Sequence, residues 1–211
     1  GKDTYKITIG MPGEFNVQNA LAAICVGREL KLTKRVIEQS IADFGGVPCR
    51  MMPVDEGQPF KVIIDYGGTP DAFEKVFSAL RPTTKGKLVC VYGSPAHRDV
   101  LKRPIQGEIS ARYCDEVVLT EEEDRDEDGQ QIMNDIAVGA EKAGKVRDKD
   151  LFLINNRTEA IEFAMTRVSS PDDVVITLGK GHEKTIERGD KVFPWDEPET
   201  VREAIRKRLA S

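Results

Sequence analysis

Phe60-Lys61-Val62-Ile63-Ile64-Asp65-Tyr66-Gly67-Gly68-Thr69-Pro70-Asp71 reads FKVIIDYGGTPD: an apolar run, an acid, two glycines, then Thr-Pro-Asp. Val62, Ile63 and Ile64 are β-branched and unrelieved by polar alternation, which suits a strand covered on both faces, as in a parallel sheet. Thr69 and Pro70 supply a helix N-cap followed by proline at the first helical position, and the spacing Phe73, Val76, Phe77, Leu80 predicts a helix over about 70–80. The stretch is therefore strand, Gly turn and helix N-terminus. In open α/β sheets that junction is where ligands bind, and its exposed N–H groups favour anions. Taken alone, it is also the form of any ordinary βα unit.

From about residue 50 onward the pattern repeats. Apolar runs at Val62–Ile64, Leu88–Tyr92, Glu116–Leu119, Leu151–Ile154 and Val174–Leu178 alternate with helix-period stretches near 70–80, 99–113, 129–142, 157–168 and 198–209. Right-handed crossovers turn such an alternation into an α/β fold, a mostly parallel sheet with helices on both faces, although strand order is not readable. Lys191-Val192-Phe193 is expected to add a short edge strand after the Gly189-Asp190 turn. Upstream, Tyr5–Ile9 alternates as a short strand, and Met11-Pro12-Gly13 turns the chain out of it. A helix capped by Asn16 follows, with Val17, Ala20, Leu21, Ile24 and Cys25 on its apolar face. Thr33 caps a second helix carrying Val36, Ile37, Ile41 and Phe44, ended by Gly45-Gly46. Two helices this short make no core of their own and read as the tail of something larger.

The chain of 211 residues is long enough for a sizeable core, and its formal charge of −5 disfavours nucleic acid and anionic membranes, both of which need a basic face. Cys25, Cys49, Cys90 and Cys114 are far apart, each in or beside an apolar run, and read as reduced and mostly buried. No apolar run reaches membrane-spanning length and no signal peptide is visible, so a cytoplasmic address is expected. The start at Gly1 suggests an excised piece.

Four polar or glycine-rich segments leave the carboxyl ends of the expected parallel strands: Asp65–Thr69, Gly93–Asp99, Thr120–Asp128 and Gly179–Glu183. Topology gathers such ends on one rim. Gly179-Lys180-Gly181-His182-Glu183 sets a cation, an imidazole and a carboxylate beside two glycines that permit close backbone approach, a loop suited to a zwitterion or a phosphate. Glu121–Asp128, EEEDRDED, has the composition of a solvated loop. No GK pair is followed by Ser or Thr, so a Walker-type P-loop is missing. Two histidines and no clustered cysteines give no metal site, and no GxSxG elbow supports a Ser/His/Asp triad. No catalytic residue is assigned.

Five ordered motifs then point to one family. Gly13–Ala23 resembles the G-x-F-N-x-x-N-x-x-A-A motif of the Mur ligases, Cys49-Arg50-Met51 their G-R-M, Asp65–Asp71 their D-Y-A-H-T-P-D, and Arg98–Pro104 their R-D-x-x-K-R-P, while Gly179–Glu183 matches the last motif, G-K-G-H-E, in full. Order and spacing resemble the members that add an amino acid to a UDP-linked muramoyl dipeptide, the MurE type, over essentially the whole chain. The resemblance implies that residues 1–47 end a central ATPase domain and that 48–211 form the Rossmann-like C-terminal domain. It implies an ATP- and Mg2+-dependent ligase of peptidoglycan precursor synthesis, most of whose ATP and metal site lies outside this chain. In that family ATP phosphorylates a carboxylate, and the amine of the incoming amino acid attacks the acyl phosphate. By position, Asn16 and Asn19 would meet adenine, Asp65 the ribose and Arg50 the phosphates. Arg98, Glu122, Arg125, Gly179 and Glu183 would hold the amino acid, with Arg98 and Arg125 toward carboxylate and Glu183 toward ammonium. Charge-assisted and bidentate bonds are the strong way to orient a zwitterion. The expected partners are the UDP-linked dipeptide and a free diamino acid, meso-diaminopimelate or lysine, with the protein a monomer.

The chain departs from the motifs at named places. Gly68 stands where D-Y-A-H has histidine, Cys49 where G-R-M has glycine, and Glu122-Glu123-Asp124-Arg125 aligns with D-N-P-R, the selectivity motif of the diaminopimelate-adding members. A side chain ending in carboxylate would favour Arg125 and disfavour Glu123 and Asp124, and one ending in ammonium would do the reverse. His182 reads as a structural histidine and Lys102 as part of a solvated helix face. A non-catalytic binding module with this fold, or another peptide or polyglutamate ligase of the superfamily, is the alternative.

Overall fold

In the computed structural model, which describes residues 4–11 and 13–211, the chain divides into two units, Gly1–Val47 and Pro48–Ser211. The first holds α1 (Phe15–Glu29) and α2 (Lys34–Ala42), the latter capped by Thr33, whose hydroxyl accepts from Val36 N at 3.4 Å. Three expectations fail here. Tyr5–Ile9 is not a strand, because no described strand lies beside it to complete a ladder, and Lys6 N donates to the Glu38 carboxylate instead. Asn16 is not the cap: Glu14 occupies that position, and Asn16 is buried inside the first turn. The inward face of α1 is Asn16, Ala20, Ile24 and Gly27 rather than Val17, Leu21 and Cys25, which are exposed. Small residues decide this, since a Cβ on Gly27 would stand 2.9 Å from Ile37 of α2.

The second unit carries β1 (Met52–Val54), β2 (Lys61–Ile64), α3 (Pro70–Leu80), β3 (Leu88–Tyr92), α4 (Lys102–Tyr113), β4 (Glu116–Leu119), α5 (Gly129–Lys142), β5 (Leu151–Leu153), α6 (Arg157–Thr166), β6 (Val174–Thr177), β7 (Thr185–Arg188), β8 (Lys191–Pro194) and α7 (Glu197–Ala210). The main sheet has the order β1-β2-β6-β3-β4-β5, parallel throughout except for β1, which pairs antiparallel with β2. The expected α/β architecture is therefore present. The unalternated runs of β3, β4 and β6 are buried at every position, as strands covered on both faces must be.

Alternation reappears across the sheet. Val89 and Val91 join Ala160, Ile161 and Ala164 of α6 and Val201 of α7 in one core cluster. From the same strand Tyr92 turns the other way, edge-on to Phe73 of α3 at 4.7 Å, with its hydroxyl 2.7 Å from Ser110 Oγ on α4. Helices α3, α4 and α5 pack side by side on that face, and α6 packs on α7. The approach of α4 to α5 depends on two glycines: a Cβ on Gly107 would meet Ile136 O at 2.0 Å, and one on Gly139 would meet Pro104 O at 1.7 Å.

Lys191–Phe193 does not extend the main sheet. It pairs antiparallel with Thr185–Arg188 in a separate hairpin, because the Gly189-Asp190 turn is short enough to fold the two stretches onto each other. No described helix is long and apolar enough to cross a membrane.

Candidate functional site

The four loops that leave β2, β3, β4 and β6 meet at the carboxyl edge of the sheet around a cavity of about 470 Å3. Arg98, Glu122, Arg125, Gly179 and Glu183, the five residues expected to hold an amino acid, all line it. Tyr66, Thr69, Asp99, Lys102 and Glu123 complete its polar wall. The loops are tied together by backbone, with Ala96 N donating to Glu123 O at 2.8 Å.

A buried arginine anchors this rim from below. Arg157, the first residue of α6, donates Nε and Nη2 to the two Glu197 oxygens at 2.9 and 2.6 Å, with both side chains fully buried. Its remaining donors reach Glu121 O at 3.2 Å and Leu178 O at 2.8 Å, so one side chain links the ends of β4 and β6 to the starts of α6 and α7. The residues following those two carbonyls are Glu122 and Gly179. Gly179 has φ +102, and a Cβ there would lie 2.5 Å from Glu122 Oε2, so only glycine fits.

The EEEDRDED run is not a solvated loop. Glu121, Glu122 and Asp124 are 3%, 7% and 9% exposed, because the run packs against the β6 loop and the β7–β8 hairpin. Partners compensate most of that charge. Arg188 binds Glu121 through two bonds of 2.6 Å. Lys180, whose side chain is fully buried, donates to Glu123 Oε1 and Glu183 Oε2 at 2.6 Å each. Glu183 also accepts from Tyr66 OH at 3.1 Å. Glu122 is different: among the described residues nothing donates a hydrogen bond to its carboxylate, and burial, only partly offset by Arg157, Lys102 and Lys180, pushes its pKa up to about 7. Asp124 is raised to about 6, by burial and then by Glu121.

Arg125 faces the cavity but is held by the protein itself. Nε donates to Glu187 Oε2 at 2.8 Å, Nη1 to Ala96 O at 3.1 Å, and Nη2 to Glu123 Oε2 at 3.3 Å. The hydrogen bond it donates to Glu187 is the main reason its pKa is raised. Arg98, by contrast, is exposed and has no ion pair among the described residues. Lys102 is not solvated: its ammonium donates to Gly68 O at 2.9 Å, and burial lowers its pKa.

The residues expected at a nucleotide fall into both units. In the first, Asn16 and Asn19 line a largely apolar cleft of about 310 Å3 with Ile9, Met11, Ile41 and Phe44, and Asn19 Nδ2 donates to Asn16 Oδ1 at 3.1 Å. In the second, Arg50 is exposed with its guanidinium 4.9 Å from the Tyr66 ring centre. Asp65 is buried and fixes the backbone, accepting from Met51 N at 2.8 Å and Gly67 N at 2.7 Å. Cys49 has φ +57, a conformation suited to glycine, at the position where the G-R-M motif carries one. His182 is exposed and packs against the Tyr66 ring at 4.6 Å.

Sequence reasoning gave no role to Tyr66 or Glu187, and it read Lys180 only as the cation of a loop suited to a zwitterion or a phosphate, not as the tie between Glu123 and Glu183. Tyr66 and Lys180 lie inside the quoted motifs. Glu187 had only the Gly189-Asp190 turn to signal that the residues before it pair with those after.

Comparison with known proteins follows the same lines. The family described as Mur ligase, glutamate ligase domain, matches residues 49–181. A UDP-N-acetylmuramyl-tripeptide synthetase of Roseiflexus sp. (strain RS-1) is 43% identical over 195 residues, covering 92% of this chain and 38% of that protein. A UDP-N-acetylmuramoyl-L-alanyl-D-glutamate--2,6-diaminopimelate ligase of Clostridium tetani is 38% identical over 204 residues, 95% of this chain and 40% of its own length. A solved structure of a ligase of that second description superimposes with a TM-score of 0.72 at 28% identity, over 97% of this chain and 41% of that one. The chain thus spans about two fifths of the length of the curated relatives it matches. With five motifs in order, the family match and the shared fold, the chain belongs to the Mur ligase family.

Proposed function

We propose that this chain is the amino-acid-binding part of an ATP-dependent ligase that adds a diamino acid to a UDP-linked muramoyl dipeptide in peptidoglycan precursor synthesis. The observation that carries the reading is the convergence of Arg98, Glu122, Arg125, Gly179 and Glu183 on one cavity. Relatives bearing the names of tripeptide synthetases and diaminopimelate ligases support it. Arg98, the exposed cation, takes the α-carboxylate. Glu183, oriented by Lys180 and Tyr66, takes the amino group, and the absence of a side chain at Gly179 lets the ligand approach the backbone.

Residues of each unit, taken separately, also suit parts of a nucleotide. The cleft beside Asn16 and Asn19 offers apolar walls and amide edges, as adenine requires, and Arg50 presents an exposed guanidinium suited to phosphate. Asp65 already accepts one backbone N–H at each oxygen, so a ribose contact would use its remaining lone pairs. When bound, ATP with Mg2+ supplies the phosphoryl group that activates the acceptor carboxylate; this chain's part is to hold the incoming amino acid in orientation. No described group of three or more His, Cys, Asp or Glu is arranged for a metal ion. On this reading the protein works in the cytoplasm as a monomer, the P-loop comes from outside these 211 residues, and the chain alone is inactive. A second reading, a binding module without turnover, draws on Gly68 in place of the motif histidine.

Calorimetry of the 211-residue chain against L-lysine, L-ornithine and meso-diaminopimelate tests the proposal. Binding of at least one is expected, weakened by roughly tenfold or more in Arg98→Ala through loss of a charge-assisted contact. Absence of binding by all three at millimolar concentration would overturn it.

A further inference from the structure

The arginine that could receive a second carboxylate is already neutralised. Arg125 has five N–H donors, of which three are taken: one by Glu187, one by Glu123 and one by Ala96 O. Glu187 is brought there by the hairpin, whose backbone continues onto the loop through a bridge between Arg125 and Arg188, with Arg125 N donating to Glu187 O at 3.4 Å. The guanidinium is therefore clamped along both main chain and side chain. Glu123 cannot withdraw cheaply, because its other oxygen holds the fully buried Lys180.

The acceptor side of the cavity is the reverse. Glu122 lines it, is nearly excluded from water, and receives no hydrogen bond from any described group. Counting the lining residues with Lys180 and Glu187, four cations (Arg98, Lys102, Arg125, Lys180) face five carboxyl groups (Asp99, Glu122, Glu123, Glu183, Glu187). With Arg98 kept for the α-carboxylate, what the site lacks is a cation. A diamino acid with one carboxylate brings a net charge of +1 and an ammonium at its far end. Diaminopimelate is net neutral, and its second carboxylate would have to displace Glu123 or Glu187 from Arg125.

We infer that the pocket selects a diamino acid with a single carboxylate, of the lysine or ornithine type, over diaminopimelate, its side-chain ammonium held by Glu122 and the acids around Arg125. This rests on the pocket being the amino-acid site. It runs against the retained arginine of the D-N-P-R motif, because the neighbours of Arg125 and not its identity set the charge offered to the ligand.

The test is calorimetry of the 211-residue chain with L-lysine, L-ornithine and meso-diaminopimelate, repeated in Glu187→Gln, which keeps an oxygen for Nε but removes the charge. In the native chain, lysine or ornithine should bind at least about tenfold tighter than diaminopimelate. In Glu187→Gln that ratio should fall severalfold as Arg125 becomes available. Diaminopimelate binding as tightly as both others would overturn the selectivity while leaving the amino-acid site intact. An unchanged ratio in Glu187→Gln would overturn the role given to the clamped arginine. Failure of all three ligands to bind would remove the site, and the selectivity with it.

Discussion

Arg157 and Arg125 are both arginines held by glutamates, 32 positions apart in sequence and at opposite depths of the same rim. Arg157 and Glu197 are fully buried, and every contact that arginine makes is to the protein frame. Arg125 is 27% exposed, lines the cavity and keeps two N–H groups unassigned among the described contacts. The same chemistry therefore does two jobs, and depth separates them. A buried pair is obligatory once formed, since removing one partner strands the other charge away from water. A pair at the mouth of a pocket contributes less to stability, because solvent screens it. Glu122 shows the third possibility: as buried as its neighbours but unpaired, it is pushed toward neutrality.

The largest test of that contrast is Arg157→Met, which strands Glu197 and frees the carbonyls of Glu121 and Leu178; urea denaturation should show a loss of about 3–5 kcal/mol. A loss no larger than that of an ordinary surface change would break the distinction. Next comes pH. Glu122 titrates near 4.5 when unfolded and at about 7 when folded, so its protonated form is favoured by folding. The stability tied to it is fully present below about pH 4.5, falls as pH rises toward 7, and changes no further above that. Glu122→Gln should remove this fall, a difference of roughly 2–3 kcal/mol between pH 4.5 and 7.5. Parallel stability curves for the two proteins would show that Glu122 is not buried as a neutral acid. Gly179→Ala combines a left-handed backbone with a clash against Glu122 and should lower stability by about 1–2 kcal/mol. Amino-acid binding should fall with it, read by the same calorimetry. Arg125→Met is expected to be the mildest, within about 1 kcal/mol of the native protein, because the pair it breaks is partly solvated. A loss matching that of Arg157→Met would make Arg125 a structural residue.

Much of the fold was legible because its signals are local. Leu88–Tyr92 and Val174–Leu178 are runs buried at every position, Val62–Ile64 is buried at Val62 and Ile64 but only partly covered at Ile63, and the Thr69-Pro70 start of α3 is written in two adjacent residues. The first 47 residues were read less well. An alternating stretch such as Tyr5–Ile9 becomes a strand only if a neighbour pairs with it, and α1 turned inward by its small residues rather than its large ones. The candidate site was visible as motifs whose loops share one sheet edge, but its charges were not.

Sequence alone determined the alternation of strands and helices, the family and the list of loops at the rim, since each depends on residues close together along the chain. Only the tertiary structure decided which charges meet. Glu187 reaches Arg125 across 62 positions, and Glu197 reaches Arg157 across 40. Such pairs depend on strand order and on where a hairpin comes to rest. Coulombic and hydrogen-bond energies follow distance in space and the exclusion of water, neither of which is encoded at any single position.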